Sequence, residues 1–126
     1  MVDFALTLNV LINTNSNIRF AAICDMDGKI LAQHSHKGIV NLVPIEETKK
    51  HLQRAVNSWK QRFELEGSAG KGLYAIAIYK KIKRITIPLG RGNLLFLTIE
   101  NKGGGSKGIE KELGLVNLGF LLKSAH

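Results

Sequence analysis

Between a strand-like run that ends at Ile99 and a helix-like run that begins at Ile109 lies Gly103-Gly104-Gly105-Ser106-Lys107-Gly108. Its position and composition are those of a phosphate-binding loop. Such a loop needs backbone N–H groups at a helix N-terminus, and a lysine followed by a serine or threonine whose hydroxyl holds the metal of the nucleotide. Here Ser106 precedes Lys107 and Gly108 follows it, so the spacing Gly-x-x-x-x-Gly-Lys-Ser/Thr fails. The segment reads as a flexible connector. Gly90-Arg91-Gly92 reads as a hairpin turn.

The other reactive side chains are scattered. His34 and His36 stand two apart in a polar loop, His51 falls in a helix and His126 ends the chain. A metal site needs several ligands converging on one point with partners behind them, so these histidines read as solvated and no metal is expected. Cys24 is the one cysteine. An intramolecular disulfide is therefore impossible, which fits a reducing compartment. A reactive thiol needs positive charge beside it, and Cys24 has Asp25 instead, within an apolar strand. It reads as buried and inert. There is no Gly-x-Ser-x-Gly elbow, and the acidic pairs fall at a helix start or in turns. No catalytic residues and no cofactor are expected.

The cations carry more information. The formal net charge is +8, and residues 71–92 hold six basic residues and no acidic one. Four of them, Lys80, Lys81, Lys83 and Arg84, crowd one hairpin end. A focused patch of this kind could meet an acidic protein surface, nucleic acid or lipid headgroups. Lysines also guard exposed sheet edges against aggregation. Tyr79 is the obvious stacking aromatic nearby, so recognition of single strands lacks its usual platform.

The elements that must position these groups follow from periodicity. Met1–Asn13 reads as an amphipathic helix with Phe4, Leu8, Leu11 and Ile12 on one face and Asp3 as its cap. Ile18–Met26 and Lys29–Gln33 read as a hairpin closed by Asp27-Gly28 as a two-residue turn. Val43-Pro44-Ile45-Glu46-Glu47 opens a helix in which Ile45, Leu52, Val56, Trp59 and Phe63 share a face as far as Gly67. Leu73–Tyr79, Arg84–Leu89 and Leu94–Ile99 read as three strands, apolar on both faces, so helices should cover both sides of the sheet. Ala75 and Ala77 share one face of their strand, where small side chains would let a helix approach. Ile109–Ser124 reads as a final helix weakened by Gly114 and Gly119. The order is α-β-β-α-β-β-β-α, an α+β domain with five largely antiparallel strands. Residues 1–126 are expected to form one domain. No apolar run approaches the length of a membrane span, and no signal peptide is visible at the start, so a soluble cytoplasmic protein is expected.

The run Ile18-Arg19-Phe20-Ala21-Ala22-Ile23-Cys24-Asp25-Met26-Asp27-Gly28-Lys29-Ile30-Leu31, an apolar strand entering an acidic-glycine turn, resembles the first hairpin of the roadblock (dynein light chain) family, part of the profilin-like and longin-like group. The helix, second hairpin and third strand that follow match its layout from about Ile18 to Ile99, and Tyr79–Leu89 is similar to an archaeal branch. The family shares no catalytic residues. The resemblance implies a homodimer formed through the strand Leu73, Tyr74, Ala75, Ile76, Ala77, Ile78 and Tyr79 together with the central helix. It also implies a non-enzymatic scaffold or adaptor that binds a small GTPase or another protein. A second expectation, from charge alone, is a binder of nucleic acid or another polyanion through Lys80–Arg84.

Overall fold

The structure is a computed structural model that describes residues 3–14, 17–35 and 44–101. The proposed final helix, the glycine-rich loop with Ser106 and Lys107, His36 and His126 lie outside the described residues. The elements are α1 (Phe4–Thr14), β1 (Ile18–Asp25), β2 (Ile30–Ser35), α2 (Ile45–Phe63), a single turn α3 (Glu66–Ala69), β3 (Ala75–Ile78), β4 (Ile82–Leu89) and β5 (Asn93–Glu100).

The five strands form one sheet in the order β2-β1-β5-β4-β3. All four pairings are antiparallel. Successive side chains on a strand point to opposite faces, and here both faces are apolar. Ile18, Ala21, Ile23, Ile85, Ile87, Leu95 and Leu97 pack under Leu8, Leu11 and Ile12 of α1. Phe20, Ala22, Cys24, Leu94 and Phe96 pack under Leu52, Val56 and Trp59 of α2. This is the two-sided coverage that the doubly apolar strands require.

Local signals set the ends. The Asp3 carboxylate accepts a hydrogen bond from the Leu6 backbone N–H at 3.1 Å, capping α1. Pro44 immediately precedes α2, and its carbonyl accepts from the Thr48 N–H at 3.0 Å. The first hairpin has a longer connection than the sequence implies. Asp25 N–H donates to Lys29 O, leaving three residues in the loop. Asp25 Oδ1 accepts from the backbone N–H groups of Asp27 and Lys29 at 2.9 and 3.0 Å. Gly28 has φ of 85°, a left-handed conformation that costs glycine little. The Asp25 side chain thus ties the loop together, and Gly28 supplies its reversal.

Most boundaries differ from expectation by a residue or more, and three of the differences matter for the surface. α2 stops at Phe63, and the chain turns before the single helical turn Glu66–Ala69. β4 begins at Ile82, so the turn of the second hairpin is Lys80-Lys81, closed by Tyr79 N–H donating to Ile82 O at 2.8 Å. β3 is four residues, Ala75–Ile78, while Leu73, Tyr74 and Tyr79 fall outside the ladder. Among the described residues β3 pairs only with β4, and it ends where that ladder ends. Among the described residues, no helix is long and apolar enough to cross a membrane.

Candidate binding groove and edge strand

Among the described residues, β3 is at one edge of the sheet and β2 at the other, each paired on one side. The two edges differ in character. Around β3, Leu73 is 70% exposed, and Tyr74, Ile78 and Tyr79 are each more than 40% exposed. On β2 the exposed side chains are Leu31 and the polar Gln33, His34 and Ser35. Exposed apolar side chains beside unpaired backbone groups invite another strand.

The basic hairpin divides. Lys80 and Lys81 are exposed at the turn. Lys83 and Arg84 are in β4 and are buried, at 3% and 8% exposure. Burial follows from the longer strand: Ile82 joins the ladder, so Lys83 and Arg84 become interior strand residues on opposite faces. The patch read from the sequence as four cations is therefore a surface pair and two enclosed side chains. Asn101 braces the hairpin from below. Its side-chain amide donates to Tyr79 O at 2.8 Å and its backbone N–H donates to Lys81 O at 3.0 Å.

Arg84 points to the α2 face. Its guanidinium stands 5.5 Å from the Tyr79 ring centroid and 5.9 Å from that of Phe96. Beside it opens a groove of about 180 Å³, lined by His51, Ala55, Ser58 and Arg62 of α2, Ala75, Ile76 and Ala77 of β3, Tyr79, Arg84 and Thr86 of the hairpin, and Phe96 of β5. The α2 positions repeat at helical spacing, one stripe round from the core stripe Leu52, Val56 and Trp59. Ala75 and Ala77 keep the floor low on the sheet side. The structure thus brings Arg84 together with residues that the sequence left apart: His51, Ser58 and Arg62. Their i, i+7 and i+11 spacing was visible, but nothing in it told which helix face would look onto β4.

Trp59 lies behind the groove, in contact with two of its lining residues, Thr86 and Arg62. It is 1% exposed, and its Nε1–H donates to Thr86 Oγ1 at 2.8 Å. Arg62 stacks over its ring at 4.9 Å. The His51 imidazole has its pKa lowered, first by burial and then by the charges of Arg84 and Arg54, with Glu47 opposing. The Cys24 thiol is fully buried, and burial followed by the Asp25 charge pushes its pKa up to about 11. A thiol with that pKa is not a nucleophile at neutral pH. His34 is exposed on β2, and no group of three His, Cys, Asp or Glu suited to a metal occurs among the described residues.

No protein-family model matches this chain, and no curated protein matches it. Solved structures do. A Roadblock/LC7 domain from Streptomyces avermitilis superposes with a TM-score of 0.64 at 11% identity, over 96% of this chain and 99% of that one. The gliding protein MglB from Thermus thermophilus gives 0.63 at 18% identity, over 94% and 84%. Profilin from Schizosaccharomyces pombe gives 0.53 at 17%, over 93% and 99%. With its five antiparallel strands between α1 and α2, the chain has the fold of Roadblock/LC7 domains, shared with profilin.

Proposed function

We propose that this protein is a non-enzymatic adaptor of the cytoplasm that forms a homodimer through β3 and α2 and presents the joined sheet to a protein partner such as a small GTPase. The observation that carries the reading is the placement of β3 at an edge of the sheet, paired among the described residues with β4 alone, with Leu73, Ile78 and Tyr79 exposed beside it. A second copy of β3 would pair the free backbone groups, cover this apolar surface and bring the two α2 helices alongside across a two-fold axis. A structure of MglB with a tetrameric arrangement, to which the chain is similar at 17% identity and a TM-score of 0.63, supports self-association as a use of this fold.

Multi-angle light scattering at micromolar concentration tests the dimer, and a stable monomer would overturn it. Affinity capture from the native cell, repeated at rising salt, tests the partner. A packed protein interface survives the salt series. Binding of nucleic acid through Lys80 and Lys81, the second reading, weakens steeply with salt because it depends on counterion release. The burial of Lys83 and Arg84 leaves that second reading fewer surface cations than the sequence promised.

A further inference from the structure

Arg84 is enclosed and, among the described residues, uncompensated. It is 8% exposed, and its Nε is buried with no hydrogen-bond partner. A buried charge is costly without a partner of opposite sign. Among the described residues no carboxylate bonds it. What holds it is aromatic: the Tyr79 and Phe96 rings approach its guanidinium, and ring contacts leave the N–H groups unused. Those N–H groups border the groove under α2.

Three further polar side chains of that groove are donors too. Arg62 brings a second guanidinium, held against Trp59. Thr86 Oγ1 already accepts the Trp59 N–H, so its own O–H is left to donate. Ser58 adds a hydroxyl, and among the described residues no Asp or Glu lines the cavity. A second β3 laid alongside would supply none, because residues 71–92 contain no acidic residue. A set composed of two guanidiniums and two hydroxyls exceeds what the two oxygens of a planar carboxylate can accept, and it suits a tetrahedral anion with acceptors in several directions.

We infer that the groove between α2 and the β3–β4 hairpin is a binding pocket for a small phosphate-bearing ligand, with Arg84 and Arg62 as its charged donors and Ser58 and Thr86 as its hydroxyl donors. The groove is formed within one chain, and its α2 and β3 walls adjoin the surface proposed to meet the second copy, so phosphate would bind at the edge of that seam. Burial first, then Arg84 and Arg54, hold the His51 pKa down against Glu47, and the share due to the two cations is what a bound anion would offset.

The test is NMR on the full chain with 15N-labelled arginine side chains, titrated with inorganic phosphate in a constant background of chloride. The Arg84 and Arg62 Nε–H resonances should shift and saturate. Bound phosphate should also raise the His51 pKa, while chloride at equal ionic strength should not. Arg62→Gln, at an exposed position, should weaken binding about tenfold, the loss of one charged hydrogen bond. Arg84→Lys keeps the charge, loses the fork, and should abolish saturation. A parallel titration with glycerol 3-phosphate separates the sources. Tighter binding of the ester assigns the pocket to a phosphorylated metabolite, and tighter binding of the free ion assigns it to phosphate itself. Resonances that do not saturate, or that respond equally to chloride, overturn the proposal, as does unchanged affinity in Arg62→Gln. If Arg84→Lys fails to fold, the wild-type and Arg62→Gln titrations still decide. A general rise in melting temperature with phosphate is not support, because excluded salts stabilise most proteins.

Discussion

Trp59 carries two duties at once. It is the largest fully buried side chain of α2, and its indole N–H satisfies the Thr86 hydroxyl on the sheet. Truncation would open a cavity and remove that hydrogen bond together. Trp59→Ala should cost ~3–5 kcal/mol, the range for a buried large aromatic, read from urea midpoints. A near-wild-type midpoint would mean that the α2 face has been misread. His51, on the neighbouring stripe, predicts a pH dependence. Its folded pKa lies below the ordinary 6.5 because burial and Arg84 resist the charged form. Above 6.5 neither folded nor unfolded chain binds the proton appreciably, and the contribution to stability is intact. As pH falls through 6.5 toward the lowered folded value, the unfolded chain takes up the proton first and stability is lost. His51→Gln should flatten the drop in urea midpoint between about pH 7 and pH 5. An unchanged slope would show that other groups cause it.

At the scale of elements, the segment leading into β3 is as constrained as the strand itself. A Cβ built on Gly72 would meet the Trp59 ring at 2.8 Å, and that ring is held by Thr86 and Arg62. It cannot give way without losing both. Gly72→Ala should therefore destabilise by ~1–3 kcal/mol, as overpacking does. Gly67→Ala, where the added Cβ meets nothing within 4 Å, is its control. Equal melting temperatures for the two variants would refute the close approach. α3 and the turn before it are tied to the next hairpin by Glu66, whose carboxylate accepts from Arg91 at 2.6 Å while Arg91 stacks on Phe63 at 5.3 Å. The end of α2 is thus clasped from the β4–β5 turn. That long-range tie is one the local pattern of residues 60–70 could not announce.

For the molecule as a whole, the decisive feature is the asymmetry of its two sheet edges. β3 is the apolar one, and Ile78 is 43% exposed there at the last position of the ladder. Ile78→Lys places a charge on the surface proposed to be covered by the second copy, without emptying the core. The variant should run as a folded monomer in light scattering, with far-UV circular dichroism like that of wild type. An Ile78→Lys protein that remains a dimer would move the interface elsewhere, and a wild-type monomer would remove it.

What the sequence alone determined was set by local or periodic chemistry. The Asp3 cap, the Leu8–Leu11–Ile12 and Leu52–Val56–Trp59 faces, the doubly apolar strands and the inert Cys24 all come from neighbours within one or two turns, or from alternation along a strand. The resemblance of Ile18–Leu31 to a roadblock hairpin carried the fold for the same reason, since element order survives where identity has fallen to between 11% and 18% in the matched Roadblock/LC7 domain and MglB. Only the tertiary structure decided the rest. Lys83 and Arg84 look like surface cations until Ile82 joins the β4–β5 ladder and buries them. Arg84, Arg62, Ser58 and His51 become one groove only when α2 crosses the sheet beside β3. Burial and convergence depend on pairings between distant segments, and a charge does not reveal in its own neighbourhood which strand will close over it.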